Sequence, residues 1–183
     1  MTYLWWIGIV VALLIIYSIS LYNKFINLET GIWNAIGDID VQLKRRSDLI
    51  PNLIETVKGY ANFESSTLEK VIQARNQYVS AGSFADKTTA DNALSGALKQ
   101  LFALSESYPD LKANTGFLDL QNQLKELEDV IQNARRFYNA SVRDYTILAK
   151  SFPSNIIAGV FGFGKKEFFQ IEESERAVPK VSF

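Results

Sequence analysis

Residues 117–148 read FLDLQNQLKELEDVIQNARRFYNASVRDYTIL, and this stretch decides the fold. Its apolar side chains recur at alternating steps of three and four residues, and Ser141 fills the gap in the series. The members are Phe117, Leu120, Leu124, Leu127, Ile131, Ala134, Tyr138, Tyr145 and Leu148. This spacing is typical of helices that pack nearly parallel to one another, as in a bundle or coiled coil.

Three shorter series with similar spacing precede this stretch. No segment shows the sustained two-residue alternation of a half-buried strand, so we expect no sheet. Breaks that contain glycine, proline or asparagine separate the series. Helices are therefore predicted over about residues 23–60, 64–81, 87–107 and 116–151.

The segment before the first series is apolar. Residues 4–21 read LWWIGIVVALLIIYSISL, and no charged side chain precedes Lys24. At about 1.5 Å per residue this is roughly 27 Å of helix, close to the hydrocarbon thickness of a bilayer. A cleavable signal peptide is the alternative, but the segment has no basic start and no small-x-small cleavage site follows it. The predicted fold is therefore all-α, with an N-terminal transmembrane helix that continues into an elongated antiparallel four-helix, coiled-coil-like bundle.

The chain divides into three predicted regions: a membrane anchor over residues 1–23, a helical bundle over 24–151 and an apolar tail over 152–183. Lys24 follows the apolar run at once, and no basic side chain precedes the run. Because basic residues favour the cytoplasmic side, we expect a single pass through the inner membrane, with the N-terminus outside and the body in the cytoplasm.

Composition argues against several classes of function. The 183 residues carry 19 basic and 20 acidic side chains, so no excess positive charge is available for a nucleic acid. The absence of cysteine and histidine removes thiol chemistry, the commonest general base and the commonest metal ligand. Neither a phosphate loop nor a nucleophile elbow is present. We therefore expect no enzymatic activity, no cofactor and no metal.

Charged and amide side chains interrupt the apolar pattern near Pro51 and again in the last long helix. Arg46 occupies a position where the three–four spacing of the first body helix calls for an apolar residue. An unpaired guanidinium buried there would lower the stability of the fold by roughly several kcal/mol. We consider two roles for this group, a polar layer that fixes helix register and a site for an anionic ligand. Its candidate members are Arg46, Asp48, Asn52, Arg135, Arg136, Arg143 and Asp144.

Helix lengths suggest an association surface. The first and last body helices would span roughly 50–55 Å, and the middle two only about 27–32 Å. The membrane-proximal half of the long pair would then remain partly uncovered, and exposed apolar stripes usually mark interfaces. We therefore expect a homo-oligomer whose contact candidates are Ile32, Trp33, Ile36, Ile39, Phe137, Tyr138 and Tyr145.

The tail is apolar and glycine-spaced, reading FPSNIIAGVFGFGKKEFF over residues 152–169. We expect a short helix, capped by Ser154 or Asn155, that either contacts lipid headgroups or packs across the base of the bundle or against a neighbouring subunit. The final stretch, residues 173–183, is predicted to dock on a partner chain. The candidate contact residues of the tail are Phe152, Ile156, Ile157, Val160, Phe161, Phe163, Lys165, Lys166, Phe168 and Phe169.

Four ordered motifs resemble those of the LemA family of bacterial membrane proteins. They are VQLKRRSDLIPNLIETVKGY at 41–60, NARRFYN with VRDY within 133–145, FPSNIIAGVFGF at 152–163 and ERAVPKVSF at 175–183. The resemblance implies one transmembrane helix and an α-helical body, generally cytoplasmic, and some relatives are associated with shaping internal membranes. It implies no catalytic residues.

Together these features predict a non-enzymatic membrane protein that self-assembles through its bundle and acts as a scaffold or membrane-organising component. The alternative is a membrane-anchored binding module that holds an anionic lipid or a protein partner at the arginine-rich layer or the tail.

Overall fold

The computed structural model of the chain describes residues 2–60 and 64–169. Within these ranges all the regular secondary structure is helical, which confirms the all-α prediction. The six described helices are α1 Thr2–Lys58, α2 Ser65–Ser80, α3 Phe84–Ser105, α4 Pro109–Lys112, α5 Thr115–Lys150 and α6 Ser154–Phe161. The observed bounds of α2 and α5 lie within one residue of the predicted ones.

The helices belong to two compact units. The first unit, called the anchor unit below, contains the described residues up to Gly37 together with Arg135–Phe168. The second, called the core unit, contains Asp38–Ala134 and Phe169. Since α1 and α5 are long, each supplies residues to both units.

The hydrophobic centre of the core unit draws on five helices. Ile50, Leu53 and Val57 of α1 follow steps of three and four and are fully buried, as the periodicity predicts. Side chains from α2, α3, α4 and α5 pack with them in one cluster. The other members are Ile54, Leu68, Val71, Ala74, Leu94, Ala97, Leu98, Leu101, Leu111, Phe117 and Leu124.

Side-chain caps set two helix starts in the core unit. Ser83 Oγ accepts a hydrogen bond from the Asp86 backbone N–H at 3.1 Å, so α3 begins at Phe84, three residues before the predicted start. At the start of α5, Asn114 Oδ1 accepts from the Phe117 N–H at 2.9 Å. The Asn114 amide also donates to the Tyr60 hydroxyl at 2.9 Å, which ties the end of α1 to the start of α5.

The tail forms the expected short helix, α6, but the predicted capping residues are wrong. Pro153 occupies the N-cap position, where no side chain caps the helix. Ser154 is buried and its hydroxyl instead donates to the carbonyls of Leu148 and Ser151, which fastens α6 to the end of α5. At the other end Gly162 adopts φ +71°, a left-handed conformation that favours glycine at a helix C-terminus.

Over the described residues, α1 contains one stretch whose length and composition would allow it to cross a membrane. None of its eighteen-residue apolar window is buried by the rest of the chain. Leu4 and Ile16, for example, leave 71% and 64% of their surfaces exposed. Exposure of this much apolar surface is unfavourable in water.

Candidate functional site

A buried ionic cluster lies in the core unit and is centred on Arg46 of α1. Arg46 Nη1 lies 3.0 Å from Asp91 Oδ1 and 2.8 Å from Ser95 Oγ, both on α3. Arg46 Nη2 lies 2.7 Å from Glu128 Oε2 on α5. One guanidinium therefore joins three helices of the core unit through charge-assisted hydrogen bonds.

Burial makes this cluster energetically demanding. Only 4% of the Arg46 side chain and 1% of the Asp91 side chain remain exposed, whereas Glu128 keeps 26%. Taking such charges out of water costs several kcal/mol per ion, roughly, so the cluster is tolerated only while the ions remain paired. Its geometry therefore fits a structural layer that fixes the mutual register of α1, α3 and α5.

A small cavity borders the cluster. Its volume is about 210 Å³, and its wall includes Arg46, Ser95 and Glu128 together with Lys99 and Lys125. Arg46 Nε is buried and has no hydrogen-bond partner among the described residues. Both Nη atoms are nevertheless occupied by acidic or hydroxyl groups of the same unit. Residues of the core unit therefore supply the hydrogen-bond partners of both Nη atoms. This arrangement gives no support to the anionic-ligand alternative.

Two more polar contacts surround this layer. Lys87 Nζ of α3 lies 2.6 Å from Asp40 Oδ1 of α1, and Arg75 Nε of α2 donates to the Ser47 carbonyl at 3.2 Å. The pKa of the Tyr78 phenol is raised to about 12, mainly by burial and further by the negative charge of Asp40. A phenolate at this position would be both desolvated and repelled by carboxylates.

The structure places the other predicted members of the polar layer elsewhere. Asp48 is exposed and pairs with Lys44 one turn away rather than with Arg46. Asn52 is also exposed. In the anchor unit, Arg143 and Asp144 pair with each other on the surface, at 2.9 Å.

The two remaining predicted members, Arg135 and Arg136, also lie in the anchor unit, the first buried and the second exposed. Of the predicted layer, Arg46 is a member of the observed cluster.

Sequence reasoning missed the actual partners of Arg46. Asp91 and Ser95 lie four residues apart on α3, so they share a helix face, and this spacing was the available signal. The third partner, Glu128, lies between two other acidic residues of α5, Glu126 and Asp129.

In the anchor unit, the tail docks against α1 and α5 through aromatic rings. Phe163 stacks on Phe25 with ring centroids 4.5 Å apart and planes inclined by 14°. Phe25 also meets Tyr145 edge-on, with centroids 5.8 Å apart. Further along α1, Tyr22 contacts Phe161 and Phe163 at centroid distances of 4.9 and 5.6 Å.

Polar contacts continue this docking beyond Phe163. The Tyr145 hydroxyl donates to the Gly164 carbonyl at 3.1 Å, and the Tyr138 hydroxyl donates to the Glu167 carbonyl at 2.8 Å. Burial is the main cause that raises the pKa of both tyrosines. Since a neutral phenol can donate and a phenolate cannot, a raised pKa keeps these tail contacts intact to higher pH.

One lysine completes the docked tail. Lys166 Nζ pairs with Glu29 Oε1 of α1 at 2.5 Å. The same ammonium lies 5.9 Å from the ring centroid of Trp33 and 5.6 Å from that of Tyr145, within the range of cation–π attraction. Lys166 is thus enclosed by α1 and α5, whereas Lys165 is exposed.

The chain itself covers part of the predicted association surface. Ile32, Ile39, Tyr138 and Tyr145 are buried within the chain itself. The physical reason for the two tyrosines is the docked tail, which accepts both hydroxyl hydrogen bonds. Ile36 is partly buried, and the two predicted contact residues that stay well exposed are Trp33 at 62% and Phe137 at 60%.

Some of the predicted contact residues of the tail are covered by the chain, and others are exposed. Phe163, Lys166 and Ile157 are partly buried, and Phe169 is buried in the core unit, where its ring lies 5.9 Å from that of Phe84. The exposed ones are Phe152, Ile156, Val160, Phe161, Lys165 and Phe168. The predicted partner-docking stretch at 173–183 lies outside the described residues.

Within residues 2–60 and 64–169, no group of three or more potential metal ligands converges. The described chain is a helical protein with a buried ionic layer paired within the core unit, a docked aromatic tail and one apolar helical segment of membrane-spanning length. A model of the LemA family matches residues 35–183, and the chain belongs to this family, which confirms the resemblance.

Relatives in two named groups are similar to this chain. Magnetosome protein MamQ 2 of Paramagnetospirillum magneticum is 25% identical over 175 residues, covering 81% of this chain and 64% of the relative. Protein LemA of Metamycoplasma hominis is 29% identical over 158 residues, covering 84% and 71%. Magnetosome protein MamQ of Magnetospirillum gryphiswaldense is 24% identical over 174 residues, covering 81% and 64%. The match thus spans just under two thirds of the length of the MamQ relatives.

Proposed function

We propose that the chain is a single-span protein of the inner membrane and acts as a scaffold or membrane-organising component. In this proposal the N-terminus lies outside, the body lies in the cytoplasm, and α1, α2, α3 and α5 form an antiparallel four-helix bundle. Copies of the chain self-associate beside the membrane. The function requires binding and shape only, and no catalytic step.

The observation that carries the proposal is the composition of α1. One unbroken helix of 57 residues contains both a fully exposed apolar segment and residues of the buried core cluster. A helix of this kind joins a lipid-soluble segment to a water-soluble body without a linker. Lys24, the first charged residue, follows the apolar segment and favours a cytoplasmic body.

Self-association is supported by two exposed aromatic side chains in the anchor unit. Trp33 and Phe137 keep 62% and 60% of their surfaces exposed, although their sequence neighbours Ile32 and Tyr138 are buried. Aromatic side chains are enriched at the centres of protein interfaces. The relatives named as magnetosome proteins are consistent with a role in organising a cell structure.

Particle mass tests the scaffold. The full-length protein in detergent should give particles of several copies when imaged by electron microscopy. A W33S/F137S variant should shift the population towards single chains. V79S is the matched control, because Val79 of α2 is equally exposed, at 62%, but lies in the core unit. Wild-type particles with the mass of one chain would contradict self-association.

Topology has its own test, because the chain contains no cysteine. Single cysteines at Thr2 and Glu126 should react differently with a membrane-impermeant maleimide on intact cells. We expect labelling at position 2 and protection at position 126. Protection at position 2 with labelling at position 126 would reverse the proposed orientation.

A further inference from the structure

We propose that α6 is a lipid-contacting helix, and that it forms with α1 a groove that seats a phospholipid acyl chain. The inference rests on the proposed membrane span and adds a second, non-spanning contact with the bilayer. Its ligand class is an anionic phospholipid, recognised by apolar side chains and exposed lysines.

The first step of the argument is the exposed face of α6. Ile156 and Val160 lie one turn apart on α6 and leave 55% and 73% of their surfaces exposed, and Phe152, two residues before the helix, leaves 82% exposed. The opposite side holds the buried small residues Ser154 and Ala158, which face the protein. Helix α6 contains no charged residue, and the side chains of Ile156 and Val160 are purely hydrocarbon.

The second step is the position of α6 relative to the apolar segment of α1. Phe161, at the end of α6, contacts Tyr22, the residue directly after the apolar run ends at Leu21. Tyrosine is typical of the membrane–water boundary. The end of α6 therefore lies at the level where the span meets the headgroups, and its exposed face is continuous with a lipid-facing surface.

The third step is the groove between the two elements. It has a volume of about 410 Å³, and six of its seven lining residues belong to α1. The lining residues are Val11, Leu14, Ile15, Ser18, Ile19, Tyr22 and Phe161. The Ser18 hydroxyl donates to the Leu14 carbonyl of its own helix at 2.8 Å. The walls are thus almost purely hydrocarbon and lie largely within the span, which suits an acyl chain rather than a polar ligand.

The fourth step is charge at the boundary. Lys24 lies two residues beyond Tyr22, and Lys165 lies two residues beyond Phe163, which contacts Tyr22. Both lysines are exposed, whereas Lys166 is engaged by Glu29. Exposed lysines beside an interfacial helix favour anionic headgroups through their phosphates.

Spin-label accessibility tests the inference on the full-length protein in vesicles of phosphatidylcholine and phosphatidylglycerol. The cysteine-free chain permits one label at a time, at V160C on α6, at L14C in the span and at E126C on the exposed surface of α5. Oxygen concentrates in lipid and a nickel chelate concentrates in water. The oxygen-to-nickel accessibility ratio at V160C should be several-fold above that at E126C and should approach that at L14C.

Each other outcome overturns the inference in a distinguishable way. An aqueous V160C beside a lipidic L14C would reject the interfacial helix and leave the membrane span intact. Aqueous values at both positions would reject the span and the proposed function as well. A V160C label shielded from both reagents would place a second copy of the chain on α6 instead of lipid. Vesicles without phosphatidylglycerol should lower the V160C ratio, and an unchanged ratio would reject the role of the lysines.

Discussion

Arg46 and Asp91, 45 residues apart in sequence, form a 3.0 Å ion pair whose side chains are 4% and 1% exposed. The pair joins α1 to α3, and Glu128 extends it to α5. A charge at this depth has a single acceptable arrangement, in which each ion meets its partner. The pair therefore favours one register of these helices over alternatives that would bury the same apolar area.

Replacing Arg46 by methionine should lower the free energy of unfolding of the core unit by about 3–5 kcal/mol, because Asp91 would remain buried without its partner. Urea unfolding followed by circular dichroism measures the change. Arg45→Met is the matched control, since Arg45 is the adjacent residue and is exposed. The control should change stability by less than about 0.5 kcal/mol.

A second substitution separates pairing from packing. R46M/D91L removes both buried charges and should recover much of the stability lost in R46M, because a hydrophobic pair can replace an ion pair at little cost. If the register role holds, the double variant should also show less uniform helix pairing, measured by broadened amide resonances. R46M with the stability and assembly of the unaltered protein would refute the register role.

The Lys166 contact predicts a local effect in the anchor unit. Lys166→Met removes the ion pair with Glu29 and the attraction to Trp33, at an expected cost of about 1 kcal/mol to tail docking. Faster hydrogen exchange in the segment 163–168 would report the loss. Lys165→Met is the control, because Lys165 is exposed, and it should leave exchange unchanged. Equal exchange in the two variants would show that Lys166 does not hold the tail.

The stacked pair Phe25 and Phe163 predicts a larger effect. Phe163→Ala removes the ring that lies 4.5 Å from Phe25 and should weaken docking by about 2 kcal/mol, since the site is only partly buried. The substitution would uncover the buried rings of Phe25 and Tyr145, which should then bind a hydrophobic dye. Phe168→Ala is the matched control, because Phe168 is 47% exposed. Dye binding by the control and not by F163A would contradict the docking geometry.

Alkaline pH should destabilise the core unit through Tyr78. The pKa of its phenol is about 12 in the folded chain and 10.0 when unfolded, so the folded state holds the proton more tightly. The resulting stability is complete below pH 10 and is lost as the pH rises from 10 to 12. Thermal unfolding across this range should show a falling midpoint that is flatter in Tyr78→Phe. An identical pH dependence in both proteins would indicate that Tyr78 titrates normally.

The helical class followed from local pattern. Phe117, Leu124 and Ile131 belong to the apolar series of the last long helix, and all three are buried, because three–four spacing fixes which side of a helix is apolar. The start of α3 was harder to predict from the sequence, because the Ser83 cap depends on local hydrogen bonding that periodicity does not measure.

The sites depended on contacts between distant segments. The sequence marked Arg46 as a charge in need of a partner, but several acidic residues could have met it, and the folded chain selected Asp91 and Glu128. Ile32 and Tyr145 were expected on an open surface because helix lengths alone gave no account of the tail. In the folded chain, Tyr145 is covered by the returning segment at 163–167.

Sequence by itself determined that this chain is helical, that its first segment is uncharged and apolar, and that it belongs among LemA relatives. These properties depend on residue type and short-range spacing, which are present in the linear chain. Tertiary structure alone decided which carboxylates neutralise Arg46, and which apolar residues the chain covers, such as Phe25, or leaves exposed, such as Val160. Both depend on which distant segments come together, and the free energies of burial and ion pairing exist only after they have done so.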